Sequence, residues 1–242
     1  MSGHRCNVIE LRRYALHTGM RDALIDLFER ELVEPQEEEG LYILGAFRDL
    51  DDPASFVWLR GFEDIASRAR GLAAFYGGPV WRAHRDAANA TMVDSDDVLL
   101  LRPARPDSVP RVDPGRRPPR DSEDGGPRGV VVATTYQLAD ADPDGFSELF
   151  AQELEPALRS AGVEVAGCFR TEASENDFPA LPVRAGDNVF VWLARFADAG
   201  AHRRSMRALE ASPAWRTALR DRIAGSPHVA RLAPTRRSLL TG

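Results

Sequence analysis

Phe56-Val57-Trp58-Leu59 returns unchanged as Phe190-Val191-Trp192-Leu193, and the organisation of the chain follows from how far that likeness extends. Upstream, Gly45-Ala46-Phe47-Arg48 corresponds to Gly167-Cys168-Phe169-Arg170. Further back, Leu27-Phe28 with Glu31-Leu32 and Pro35 corresponds to Leu149-Phe150 with Glu153-Leu154 and Pro156. Tyr14 precedes Leu27 by the same distance as Tyr136 precedes Leu149. Trp81 stands as far beyond Trp58 as Trp215 beyond Trp192, so all four tryptophans are paired. Matches at fixed spacing mark an internal duplication. The main departure is an insertion, roughly residues 172–187, which lengthens one loop of the second half only.

Between the halves lies a segment of different composition. Arg102 to Arg128 holds Pro103, Pro106, Pro110, Pro114, Pro118, Pro119 and Pro127 among charges and glycines, with almost no apolar residue. Such a stretch buries too little surface to offset the entropy of ordering it, so it reads as an extended, disordered linker. The expected organisation is a first unit at 5–102, a linker at 103–128 and a second unit at 129–238. The whole chain, at 242 residues, accommodates two domains of about 100 residues each.

Within one unit the periodicities alternate between strand and helix. Val8 to Tyr14 alternates, with Ile9 and Leu11 on one face and Glu10, Arg12 and Tyr14 on the other. Met20 to Val33 follows a helical period through Leu24, Leu27, Phe28 and Leu32, and is expected to stop at Pro35. Leu41 to Arg48 and Ser55 to Phe62 read as strands, separated by the turn signal Asp51-Asp52-Pro53. Glu63 to Tyr76 reads as a helix ended by Gly77-Gly78, Pro79 as the first position of a short helix carrying Trp81, and Val93 to Leu101 as holding the last strand. The order β-α-β-β-α-β is the ferredoxin-like arrangement, in which helices cover one face of the sheet. Two such sheets packed face to face make a dimeric α/β-barrel, built within one chain or by exchange between two.

The residues Glu10-Leu11-Arg12, Tyr14, Gly19, Pro35, Phe47-Arg48, Trp58, Arg68 and Trp81 together resemble the NIPSNAP domain pattern. The second half matches it through Tyr136, Pro156, Phe169-Arg170, Trp192 and Trp215, and departs where Thr134 replaces Arg12 and His202 replaces Arg68. The resemblance implies a dimeric α/β-barrel. It implies no single reaction, since its wider fold relatives include cofactor-independent monooxygenases, haem-binding enzymes and simple binding proteins.

The two halves also point to where chemistry is concentrated. If Ile9 and Leu11 pack on the helices, then Glu10, Arg12 and Tyr14 point into the barrel, joined from the third strand by Phe56, Trp58, Arg60 and Phe62. At the matching positions the second half has Val132, Thr134, Tyr136, Phe190, Trp192, Ala194 and Phe196. Buried charge is costly unless paired or used on a ligand, and the second half shows that the fold does without it. Arg12 then has two readings: a structural ion pair with Glu10, or a fork of donors for a carboxylate, phenolate or enolate oxygen. The candidate catalytic set is Arg12, Arg60, His17 and Glu10, with Tyr14, Trp58, Phe56, Arg48, Tyr136 and Trp192 as candidate ligand-binding residues. The expected function is binding of a small aromatic or carbonyl-bearing molecule in a barrel pocket by a cofactor-independent enzyme. A non-catalytic binding or scaffolding protein is the alternative, and a haem-binding protein the third reading.

Composition narrows the remaining classes. A formal charge of −6, with arginines scattered among acids, argues against a nucleic-acid partner. Cys6 and Cys168 provide no disulfide framework and no metal spacing, and no tight histidine–carboxylate cluster occurs, so no metal and no cofactor is expected. Residues 1–7 lack an apolar signal segment and no run approaches the length of a membrane span, so a cytoplasmic protein is expected, as a monomer or a homodimer.

Overall fold

Alternating apolar and polar residues make β1 (Val8–Leu16) the first strand of the computed structural model, which describes residues 6–122, 129–139 and 142–242. A helical stretch follows: α1 (Arg21–Leu27), a π-helical turn (Phe28–Leu32) and α2 (Val33–Glu38). Then come β2 (Tyr42–Asp49), β3 (Ser55–Phe62), α3 (Ile65–Gly77), α4 (Pro79–Asn89) and β4 (Met92–Pro103). The second half runs β5 (Val130–Gln137), α5 (Pro143–Leu149), a π-helical turn (Phe150–Leu154), α6 (Glu155–Ser160) and β6 (Glu164–Thr171). It ends with β7 (Val189–Phe196), α7 (Ala199–Ala211), α8 (Pro213–Leu219) and β8 (His228–Pro234).

The first helix does not stop at Pro35 as its sequence predicts. A proline inside a helix lacks a donor and crowds the carbonyl four residues back. Here that carbonyl belongs to Glu31, inside the π-helical turn, whose wider pitch relieves the clash and lets α2 continue to Glu38. The second half repeats the device, with Phe150–Leu154 just before Pro156. At the start of α3, Asp64 accepts from the Ser67 amide at 2.7 Å while the Ser67 hydroxyl accepts from the Asp64 amide at 2.9 Å, a reciprocal cap.

The eight strands close into an antiparallel barrel in the order β4-β1-β3-β2-β8-β5-β7-β6. The halves meet at two short seams, β2 with β8 (Phe47↔Pro234) and β4 with β6 (Leu101↔Thr171), so one chain closes the barrel. Registers match between the halves. Glu10 faces Arg60 and Arg12 faces Trp58 across β1 and β3; Val132 faces Ala194 and Thr134 faces Trp192 across β5 and β7.

The two faces of the sheet are the reverse of the expectation. Ile9, Val57, Leu59 and Leu101 join Val131, Val191, Leu193 and Leu232 in one cluster that contains strands of both halves and no helix, which places it inside the barrel. Tyr14, Phe56, Trp58 and Phe62 pack instead with Leu24, Phe28, Leu32, Leu72 and Phe75, on the helix side. Glu10, Arg12 and Arg60 share that face and therefore lie between sheet and helices, not in the barrel. An eight-stranded barrel is just wide enough to be filled by its own side chains, and here they are apolar. The helix layer supplies partners for Glu10, Arg12 and Arg60, whereas the middle of the barrel is lined by apolar side chains and charge appears at its end, where Arg13 meets Asp49.

Two connections also take defined positions. Over residues 103–122 the expected disordered linker is a packed strap. The Ser108 hydroxyl donates to the Cys168 carbonyl at 2.7 Å, and Pro110 sits against Gly167, where an added Cβ would come within 2.9 Å of it. Val109 and Val112 pack against the barrel cluster, and Arg117 donates to Glu37 at 2.6 Å and to the Ile43 carbonyl at 2.8 Å. Residues 123–128 of that segment lie outside the described residues. The strap is held by two valines and by single serine, arginine and proline contacts, which leave no periodic apolar signal. The insertion at 172–187 crosses to the other half: the Glu172 and Arg184 amides donate to the Leu100 and Val98 carbonyls of β4, each at 2.9 Å. Its Phe178, Leu181 and Val183 pack on the first half's helix-side core. Among the described residues, no helix is long and apolar enough to cross a membrane.

Candidate functional site

Glu10, fully buried on β1, is the centre of the helix-side layer of the first half. Its Oε2 accepts from Arg12 Nη1 at 2.9 Å, from Arg60 Nη2 at 2.7 Å and from Arg60 Nε at 3.1 Å. Its Oε1 accepts from Arg68 Nε at 2.7 Å. Strand pairing places the first two arginines: Arg12 lies two residues along β1 from Glu10, and Arg60 directly across on β3. Arg68 comes from α3, where Ile65, Arg68, Leu72 and Phe75 form the inward stripe.

Each arginine has further partners. Arg12 Nε donates to the Tyr14 hydroxyl at 3.0 Å, and Arg60 Nη1 donates to Gln36 Oε1 of α2 at 2.9 Å. Arg68 Nη1 reaches the 172–187 loop, donating to Asp177 Oδ1 at 2.6 Å and Asn176 Oδ1 at 3.1 Å. The Arg60 guanidinium lies 4.9 Å from the Trp58 ring centre and that of Arg12 5.6 Å from it, so the flat cations rest on aromatic surface. Phe28 meets Trp58 edge to face at 4.9 Å, and Tyr14 does so at 5.9 Å.

Three buried guanidiniums thus face two carboxylates, Glu10 shielded from water and Asp177 at the solvent side. Among the described residues, the buried Arg68 Nη2 and Trp58 Nε1 have no hydrogen-bond partner. Burial alone raises the Glu10 carboxyl, but Arg60, Arg12 and Arg68 outweigh it and hold it well below the usual carboxylate range. Glu10 is therefore ionised at neutral pH, its carboxylate held by three guanidinium partners. Burial also raises the Tyr14 hydroxyl, against the pull of Arg12. The arrangement is suited to holding negative charge on an oxygen.

The other candidates separate from this centre. Phe56 and Trp58 belong to it, with Phe56 against Phe28 at 5.4 Å. Arg48 is directed outward to Asp22 at 2.9 Å, and His17 is exposed at the β1–α1 turn. Tyr136 and Trp192 lie in the second half's own helix layer, where burial raises the Tyr136 hydroxyl to about 12. None of His17, His84, His202 and His228 bonds to Glu10, Arg12, Arg60 or Arg68. A cavity of about 300 Å³ opens at one end of the barrel, lined by Leu11, Arg13, Val57, Thr135 and His228, and another of about 550 Å³ lies between β2 and the strap. Neither contains a residue of the charged centre, so a barrel pocket built on Glu10, Arg12 and Arg60 is not what the fold forms. Both cysteines are buried free thiols, raised by burial to about 12 for Cys6 and about 11 for Cys168. No group of three or more metal-ligating side chains occurs among the described residues.

Gln36, Asn176, Asp177 and the site role of Arg68 were not among the residues expected from the sequence. A signal existed for Arg68, the one charge in an otherwise apolar helical stripe. For Asn176 and Asp177 there was only the fact of the insertion, with nothing to say which half it would touch.

Solved structures of the same architecture span nearly the whole chain. A candidate monooxygenase from Lactobacillus acidophilus is 13% identical with a TM-score of 0.57, covering 95% of this chain and 94% of that one. Another candidate monooxygenase, from Fusobacterium nucleatum, is 9% identical with a TM-score of 0.60, over 96% and 93%. An anthrone oxidase-like protein is 11% identical with a TM-score of 0.56, over 97% and 94%. At these identities the likeness is one of fold. No curated protein matches the sequence. The NIPSNAP family model matches residues 9–106, the part that carries β1 to β4 and the buried charges, and so the first half of this chain is a NIPSNAP domain.

Proposed function

We propose that the first half binds a small, flat molecule bearing a carbonyl or phenol oxygen, in the layer between sheet and helices, and holds that oxygen as an oxyanion. The observation that carries this is the charge imbalance: three buried guanidiniums, one with an idle Nη2, against Glu10 and Asp177. Donors fixed beforehand and screened from water act most strongly on developing negative charge. Trp58, Tyr14 and Phe28 supply an aromatic wall for a flat ligand. The reaction class this suits is cofactor-independent chemistry through an enolate or phenolate, of monooxygenase or isomerase/cyclase type. The names of the fold relatives belong to the same chemistry, yet the reading rests on the cluster and not on them.

A second reading, binding without turnover, is favoured by a specific observation. Three guanidiniums hold Glu10 low and burial raises Tyr14, so neither changes its protonation near neutral pH.

We also infer that the chain is two ferredoxin-like units in tandem, 5–102 and 129–238. The support is that β4-β1-β3-β2 and β8-β5-β7-β6 repeat one strand order with one register.

The test is a thermal-shift panel of phenols, quinones and small keto acids on wild type and Arg12→Lys, which keeps the charge beside Glu10 but loses the fork. A ligand that raises Tm and binds at least tenfold more weakly to the variant is the expected result. A panel that stabilises neither protein, or both alike, overturns the reading.

A further inference from the structure

The 172–187 loop belongs to the second half, yet it covers the charged centre of the first. Two neighbouring residues make the contact. Asp177 places its carboxylate 2.6 Å from Arg68 Nη1, and Phe178 lays its ring nearly parallel to that of Tyr76, with centroids 6.2 Å apart and planes at 26°. A carboxylate and an aromatic ring side by side have the chemistry of an aryl carboxylate. Asp177 uses only part of the Arg68 fork: Nη1 is shared with Asn176, and the buried Nη2 has no partner among the described residues. A free carboxylate accepts from both Nη atoms at once, which a side chain tethered in the loop does not do here.

We propose that Asp177 and Phe178 occupy this site as a built-in mimic, and that its ligand is a small aryl carboxylate that displaces them. The inference rests on the oxyanion-binding reading above and narrows it to a ligand class and a lid. The loop is suited to release. Its ends are pinned to β4 through Glu172 and Arg184, while Glu175 and Asp177 are exposed and the apolar contacts come from Phe178, Leu181 and Val183. Displacement exchanges one carboxylate for another, so the net charge around Glu10 is unchanged. The first half's own β2–β3 connection, Leu50 to Ala54, is far shorter, and its Asp51 instead pairs with Arg231 of β8.

The experiment uses the full chain, titrated with benzoate and phenylacetate, with benzamide and acetate as controls. Binding is followed by tryptophan fluorescence, and lid release by cleavage after Glu175 with a glutamate-specific protease. The expected result is that Asp177→Asn/Phe178→Ala binds the aryl carboxylates at least tenfold more tightly than wild type, the controls bind neither protein, and ligand speeds cleavage of the wild-type loop. Equal affinity in both proteins, no binding to either, or binding with no change in cleavage overturns the mimic. If aryl carboxylates fail while a phenol or keto acid still binds with dependence on Arg12, only this inference falls; if nothing binds, the reading beneath it falls as well.

Discussion

Matching positions of the two halves hold different chemistry on the same backbone. Where the first half has Glu10, Arg12, Gln36, Arg60 and Arg68, the second has Val132, Thr134, Leu158, Ala194 and His202. Leu158 and Ala194 are fully buried, and the Phe196 and His202 rings meet at 5.0 Å. Tyr14 and Trp58 have counterparts in Tyr136 and Trp192, so the aromatic frame is common and the charge is not. The half with charge is covered by a long loop from its neighbour; the half without charge receives only the short β2–β3 connection. One half shows what the fold needs, and the difference shows what the other half adds.

The strongest way to break this comparison is to convert one half toward the other. Glu10→Val alone leaves three guanidiniums buried without their shared carboxylate and should cost about 3–5 kcal/mol in urea unfolding. Installing the whole second-half set at residues 10, 12, 36, 60 and 68 should recover much of that loss, because an apolar layer needs no ion pairs. If the combined variant is no better than Glu10→Val, the charges are required by the first half's packing.

Running the exchange the other way should have a smaller effect. Leu158→Gln puts an amide into the second half without the arginine that Gln36 meets, at a cost of about 1–3 kcal/mol by the same measurement.

Acid should separate the halves too. The Glu10 carboxyl lies below its unfolded value of about 4.3, so its contribution is complete above that pH and is lost as pH falls toward the folded value. Wild type should therefore lose stability between about pH 5 and 2 more steeply than Glu10→Gln. Equal slopes in urea midpoint against pH would remove Glu10 from the account.

The smallest effect concerns the caps. Asp64 accepts from the Ser67 amide within a reciprocal pair, whereas Asp198 accepts from the Ala201 amide at 2.7 Å with no return bond from that residue. Alanine at either should lower the urea midpoint slightly, with Asp64→Ala lowering it more.

Much of the architecture was legible because it is local. β3 was readable to its end residues, and Pro79 marked the start of α4. Pro35 misled because a proline's effect depends on the turn before it, and the π-helical geometry of Phe28–Leu32 is a property of packing on the sheet. The strap at 103–122 looked disordered because composition counts apolar residues and overlooks an arginine with three acceptors, such as Arg117.

For the site, sequence alone determined that Glu10, Arg12, Tyr14, Trp58 and Arg60 share one face, because alternation along a strand is set by backbone geometry. It also determined that this face differs between the halves. Which way the face looks was decided only by tertiary structure, since both faces of β3 are buried and alternation cannot rank two buried sides. The same holds for the third arginine, Arg68, and for the loop that brings Asp177 to it across 109 residues of chain. Those contacts depend on where the second half closes the barrel, and no periodicity within either half encodes that distance.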